Sequence, residues 1–271
     1  MDNALLIPRP TDTNPGAEFF RLFLDPTMTW SGAWFADDGM TLEQAQIAKY
    51  ERLCSQLRLC ATDQVLEVGS GWGGNAIYMA RQYGCHVTTL TDSEEQYAFV
   101  TRRVKEAGEN GRITVRLQDY RHFTGRFDKI VSVETLVAVS RHCIDTWFRK
   151  CREWLKRDGI LALQVITHPD TSLLLSMDAI NTAVHRAGKM TLVDCKDLSL
   201  HYAATLKIWY MQFNSRLAEI KALGFDDRFI RKWNQYFCYG EAAFRMRNVQ
   251  LMQLVFAQPA HASRGNLLNW Q

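Results

Sequence analysis

At 271 residues, 47% hydrophobic, 11% aromatic and 23% charged, the chain has the composition of a globular protein and the length of one domain with an elaboration. Its net charge of +3, from 32 Lys+Arg against 29 Asp+Glu, is too balanced to argue for a nucleic-acid partner. Seven cysteines, scattered without CxxC or Cys/His spacing, fit a reducing compartment better than a disulfide framework or a zinc site.

The N-terminal "MDNALLIPRPTDTNPG" has no basic region and only "ALLI" as an apolar run, so it does not read as a signal peptide; with three of the six prolines before residue 17 it reads as a loose arm. "AEFFRLFLDP" reads as a short amphipathic helix stopped by Pro26. "TLEQAQIAKYERLCSQL" has helical spacing, with Thr41 as N-cap and Glu43 and Gln44 in the first turn. From Gln64 the pattern changes to short apolar runs, "QVLEV", "HVTTLT", "ITVRLQ", "FDKIVSV" and "GILALQVI", with helical stretches between most of them. That alternation predicts a parallel sheet covered on both faces. Beyond Thr167, "SMDAINTAVHRAG" reads as a helix ended by Gly188 and "MTLVDCKDL" as a strand. Two long amphipathic stretches follow, Tyr202 to Leu223 and Asp226 to Arg245, and "VQLMQLVFAQP" closes the fold as a last strand. Nothing approaches the ~18 apolar residues of a membrane span, so the expectation is a soluble, cytoplasmic protein with no integral membrane segment.

The glycine-rich turn "EVGSGWGG" between the first strand and a helix contains G-x-G-x-G rather than G-x-G-x-x-G. Alone it is a weak signal, because glycines there also serve close helix–strand packing. There is no GK[ST], so a P-loop is excluded. A dinucleotide site wants an acidic residue ending the second strand, whereas here "TTLTDSEEQ" puts hydroxyls first and Asp92 only afterwards.

Together with its flanks, "VLEVGSGWGGNAIYMARQYGCHVTTLTDSEEQ" resembles S-adenosylmethionine-dependent methyltransferases of the cyclopropane-fatty-acid-synthase family. Four further segments match: "FFRLFLDPTMTWSGAWF", "ITVRLQDYRHFTGRFDKIVSVE", "HYAATLKIW" and "FRMRNVQLMQLVF", so the resemblance runs from about residue 17 to 258. It implies an α/β class I methyltransferase fold: a Rossmann-like seven-stranded sheet with its last strand antiparallel, an N-terminal helical lid and a helical insertion before the last strand. It also implies S-adenosyl-L-methionine as cofactor. Gly69 and Gly71 would let the backbone approach the cofactor's ribose and amino-acid tail, where a Cβ would clash. Thr91 and Gln96 would hydrogen-bond the ribose diol in place of the usual carboxylate. Asp119 is placed to accept from the adenine amine, or is a solvated strand-end aspartate. Gln118 lines the same pocket or is structural. In the lid, Trp30 faces the sulfonium by a cation–π contact or packs as core, and Ser31 contacts the tail or is an ordinary turn serine.

On the substrate side the chain departs from that family, whose cyclopropane synthases hold a bicarbonate ion as base. The resemblance places the cage's lid cysteine at Gly32, its "E-H-V-G" glutamate at Val137 and its histidine at Gln164, leaving only Tyr202 and Ile166 unchanged. A cage without thiol, carboxylate and imidazole is poorly equipped to orient an anion. The segment after the fifth strand is also shorter than in the family, and the family's N-terminal "HYD" is replaced by "DTNPGAEFF". The remaining candidates for moving a proton are Tyr202 and Glu134, which ends the fourth strand; His201 also reads as a surface or capping residue, and Glu241 as the partner of Arg245.

The sequence thus predicts an arm and helical lid over 1–62 and a cofactor-binding body over 63–258. Its substrate insertion spans about 200–246, and a tail follows over 259–271. The expected activity is C-methylation of an apolar or unsaturated small molecule by S-adenosyl-L-methionine, with no metal. The alternatives are a cyclopropane synthase with a rebuilt base site, an N-methyltransferase, and a non-catalytic cofactor-binding protein.

Overall fold

The computed structural model describes residues 15–139, 143–168, 174–188 and 190–258; the expectations for the first fourteen residues and for the tail from 259 lie outside the described residues. Short apolar runs become strands β1 (Gln64–Val68), β2 (His86–Thr91), β3 (Ile113–Leu117), β4 (Phe127–Val133), β5 (Leu155–Thr167), β6 (Thr191–Asp197) and β7 (Gln250–Ala257). They form one sheet in the order β3-β2-β1-β4-β5-β7-β6. The first five strands are parallel, and β7 enters antiparallel between β5 and β6. The last strand is therefore antiparallel, as expected. β5 is longer than its apolar run: it starts at Leu155, paired with Phe127, and a register irregularity between Phe127 and Lys129 absorbs the extra residues.

The helices are α1 (Gly16–Phe20), α2 (Leu42–Leu57), α3 (Gly74–Tyr83), α4 (Glu94–Glu106), α5 (Ile144–Trp154), α6 (Met177–Ala187), α7 (Ser199–Ser215), α8 (Leu217–Ala222) and α9 (Asp227–Arg245). α2 starts with a reciprocal capping box in which Thr41 accepts from the Gln44 amide and the Gln44 side chain accepts from the Thr41 amide. One apolar layer packs Trp147, Phe148, Trp154 and Ile180 from α5 and α6 on one face of the sheet. The other layer joins Leu57, Ala76 and Val100 from α2, α3 and α4 to the aromatic faces of α7 and α9, through Phe213, Trp233 and Phe237. α7, α8 and α9 form a helical insertion between β6 and β7. Among the described residues no helix is long and apolar enough to cross a membrane.

Strand order reverses between β1 and β4. In parallel sheets that switch point opens a crevice at the carboxyl ends of the strands. The glycine turn after β1 and Glu134 after β4 both face it.

Candidate active site

The crevice is a cavity of about 450 Å³, lined by the turns that follow β1, β2, β3 and β4 and roofed by the lid segment before α2. Trp30, Ser31, Gly69, Gly71, Thr91, Gln96, Gln118 and Glu134 all line it, so eight of the expected residues meet there. Gly71 has φ +48 and nothing within 4 Å of where a Cβ would stand, so its missing side chain leaves open cavity. Thr91 Oγ donates to Gln96 Oε1 at 2.8 Å, pairing the two across the start of α4. Gln118 donates its amide N–H to Thr91 O at 2.8 Å and its side chain to His122 O at 3.2 Å.

Asp119 is paired locally. Its carboxylate caps the 3₁₀ turn Tyr120–His122 by accepting from the Arg121 amide at 2.8 Å, and it is forked by the Arg121 guanidinium at 2.5–3.0 Å. That hydrogen-bonded guanidinium holds the carboxyl below its usual range. Asp119 is not among the cavity's lining residues; Tyr120 is.

The cavity's charge is one-sided. Glu67, Asp92 and Glu134 line it, and no Lys, Arg or His does among the described residues. Glu67 is 3% exposed, accepts from Thr89 Oγ at 2.6 Å and Asn75 Nδ2 at 2.9 Å, and is pushed up to about 7 by burial. Asn75 Oδ1 is buried with no protein partner. The open backbone at Gly71, an unspent buried acceptor, carboxylates and the rings of Phe20, Trp30, Trp72 and Trp233 fit a cationic, phosphate-free ligand. A pyrophosphate would find no cation there.

A second cavity, of about 130 Å³, adjoins the first and shares Trp30 and Glu134 with it. Its other walls are mostly apolar: Val137, Ile166, Leu174, Leu206, Phe244 and Val249, with the hydroxyls of Tyr202 and Tyr236. Glu134 is held at φ +55, a costly left-handed conformation for a residue with a Cβ, and its N–H donates to Gln164 O at 2.7 Å. Its Oε1 accepts from Gly32 N and from Gln164 Nε2, each at 2.8 Å, and the Tyr202 phenol shares the second cavity with it. Gln164 also donates to Gly32 O at 2.9 Å and accepts from Gln253 at 2.9 Å. Burial raises the Glu134 carboxyl above the usual range against these donors, and raises the Tyr202 and Tyr236 phenols. The five positions that the resemblance assigns to the bicarbonate cage thus converge in space, but around a carboxylate of the chain itself. At Gly32 a Cβ would stand 2.5 Å from Leu251 Cδ2 and 2.9 Å from Tyr202 Cγ, so a side chain there has no room. His201 and Glu241 line neither cavity; Glu241 pairs with Arg245 at 2.9 Å.

The lid is irregular chain fastened by side chains. Arg103 of α4 donates to the carbonyls of Pro26, Thr27 and Trp72 at 2.8–3.0 Å. Gln46 of α2 donates to Ser31 O at 2.9 Å, and Lys49 Nζ to Ser31 Oγ at 2.6 Å. Ala33 N donates to Thr205 Oγ of α7 at 3.0 Å. The Trp30 ring stacks on Trp209 of α7, centroids 4.4 Å apart.

Sequence reasoning missed Glu67, Asn75, Lys49 and Gln46. For two of them a signal exists. Gln46 and Lys49 fall on the apolar stripe Leu42, Ala45, Tyr50, Leu53 of α2, where a polar side chain must be buried.

The family profile described as mycolic acid cyclopropane synthetase matches residues 13–254. A tuberculostearic acid methyltransferase of Mycobacterium tuberculosis is 33% identical over 262 residues, covering 87% of this chain and 61% of the relative. A cyclopropane-fatty-acyl-phospholipid synthase of Escherichia coli K12 is 34% identical over 258 residues, covering 90% and 65%. The chain therefore spans less than two thirds of the length of these two relatives. Among solved structures, a mycolic acid cyclopropane synthase complexed with SAH and CTAB superposes with a TM-score of 0.84 at 26% identity, covering 90% of this chain and 94% of that one. On the profile match, the relatives and the seven-stranded fold, this chain belongs to the mycolic acid cyclopropane synthetase family of S-adenosylmethionine-dependent methyltransferases.

Proposed function

We propose that the protein methylates carbon in an apolar or unsaturated small molecule of lipid, isoprenoid or natural-product type, using S-adenosyl-L-methionine and no bicarbonate. The observation that carries this is the pair of adjoining cavities. One is acidic and glycine-lined, the other apolar, and they meet at Trp30 and at the buried carboxylate of Glu134. When bound, S-adenosyl-L-methionine supplies a methyl group on a sulfonium sulfur, open to in-line displacement by a nucleophile. Gly69 and Gly71 would admit its tail, Thr91 and Gln96 its ribose, and Gln118 and Tyr120 would flank the adenine. Ser31 and the ring of Trp30 would border the sulfonium from the lid side. Trp30, Tyr236 and the aliphatic wall exclude water and orient an apolar acceptor, which supplies much of the rate in a displacement.

Glu134 is the proton acceptor in this reading, at the oxygen that Gly32 and Gln164 leave less engaged, with Tyr202 orienting the carboxylate. Its burial raises the carboxyl above the ordinary range, which makes the carboxylate a stronger base. A carboxylate ringed by Trp30, Tyr202 and Tyr236 also supports a second reading, an amine acceptor methylated on nitrogen. The organisation that goes with both readings is a lid through residue 62 and a catalytic body over 63–258, with the insertion at about 200–246 facing the acceptor. The seven cysteines form no disulfide, which supports a cytoplasmic setting.

The test is incubation with cofactor and a panel of unsaturated lipids, isoprenoids and amines, with and without bicarbonate, and product identification by proton NMR. A C-methyl or methylene product independent of bicarbonate is expected. Cyclopropyl resonances whose yield rises with bicarbonate would overturn the reading, and an N-methyl product would select the second one. Cofactor binding without turnover on the whole panel would point to a non-catalytic binding protein.

A further inference from the structure

The proposed reaction leaves one buried charge unused. Lys49 is fully buried on the inner face of α2, with its Nζ donating to Ser31 Oγ at 2.6 Å and lying 5.2 Å from the Tyr50 ring centre. The charged groups that act on it are Glu134, from the end of β4, and Asp25, from the turn after α1. Asp25 is itself spent on Thr27 and on the Thr29 amide. Among the described residues Lys49 makes no ion pair. Burial lowers its ammonium to about 8, which leaves it mostly charged at neutral pH. Holding the lid does not require that charge, because the neutral amide of Gln46, one helical turn away, already grips Ser31 O. A buried, unpaired ammonium is expensive.

Its place gives the charge a use. Ser31 lines the first cavity and not the second, whereas Glu134 lines both. Gly32, next to Ser31, donates to Glu134 Oε1, so the ammonium and the carboxylate flank one lid dipeptide at the edge of the first cavity. We propose that Lys49 is a charge-positioning residue whose ammonium, behind Ser31, opposes positive charge in the first cavity while Glu134 attracts it. This rests on the proposed function. In that transfer the sulfur–methyl bond breaks with its electron pair left on sulfur, and the methyl group bonds to the acceptor. The cation becomes a neutral thioether and the positive charge passes to the acceptor side. Lys49 therefore lowers the affinity for S-adenosylmethionine relative to S-adenosylhomocysteine, and Glu134 raises it.

The readout is the ratio of the two dissociation constants, measured by calorimetry at pH 7 without acceptor or turnover. Lys49→Met removes the charge; Lys49→Gln removes the charge but keeps a donor for Ser31 Oγ, and serves where the methionine variant does not fold. Each should shift the ratio about tenfold toward S-adenosylmethionine, the scale of one unit charge about 12 Å away at an effective dielectric of about 20. Glu134→Gln should shift it the other way. Ser31→Ala should weaken both ligands by one factor and leave the ratio alone. A role for Lys49 confined to holding the lid would do the same, so a folded Lys49 variant with an unchanged ratio overturns the inference and leaves the proposed function standing. An unaltered protein that binds neither ligand overturns both.

Discussion

The two cavities are built in opposite ways from the same end of the sheet. The first is made mainly of chain ends: turns after four parallel strands, where backbone and short polar side chains face inward. The second is made of side chains from α7 and α9, from β5, and from the short segments after β4 and before β7. A cavity made of strand ends is fixed by the sheet and can hold a constant ligand. One walled by helical side chains changes with every substitution in the insertion. The molecule thus keeps the invariant part of its chemistry on its rigid part.

The sharpest way to break this comparison is Gly71→Val. At φ +48 a branched side chain is strained and would also fill open cavity, so cofactor binding should vanish in calorimetry while the sheet still melts cooperatively. Unchanged affinity would mean that the strand-end cavity is not the cofactor's. Next in size is Glu134→Gln, where the walls meet. Loss of a positioned base should lower kcat by about 10²–10⁴. In the unaltered protein, burial holds this carboxyl above the ordinary range of about 4.3. The base is the ionised form, so kcat should rise with pH through that raised value, and the acid limb should be absent in Glu134→Gln. An acid limb at the same pH in the variant would assign it to another group.

A smaller effect tests the helical side. Gly32→Cys restores the family's thiol, but its Cβ would meet Leu251 and Tyr202, so overpacking should cost about 1–3 kcal/mol of stability. A thermal melt with no loss would show that the second cavity yields more easily than its packing suggests. The smallest effects separate two polar groups near the mouth. Gln96→Ala should weaken cofactor binding by about 1–2 kcal/mol, the cost of a lost hydrogen bond. Asp119→Asn should change it by under about 0.5 kcal/mol, because the carboxylate is occupied by Arg121 at the surface. The reverse ranking in calorimetry would return Asp119 to the site.

What the sequence makes legible follows the same division. Buried parallel strands must be apolar along their length, so "QVLEV" and "GILALQVI" announce the sheet, and the glycine turn announces the first cavity. The local pairing of Asp119 with Arg121 is hidden because it depends on a 3₁₀ turn that strand periodicity does not encode. Glu67 is hidden because a carboxylate inside a strand reads as an outward position until Thr89 and Asn75 are seen to satisfy it. The second cavity is hardest to read. Val137, Ile166, Tyr202 and Tyr236 are dispersed over a hundred residues, and only the topology gathers them.

The stack of Trp30 on Trp209 has a practical consequence. One indole belongs to the lid over the first cavity, the other to the insertion that walls the second, and they share a face at 4.4 Å. Anyone redesigning the insertion to widen the range of acceptors is therefore also editing the lid's inner surface. Selection for a new acceptor alone will drift in cofactor affinity unless residue 209 is left in place.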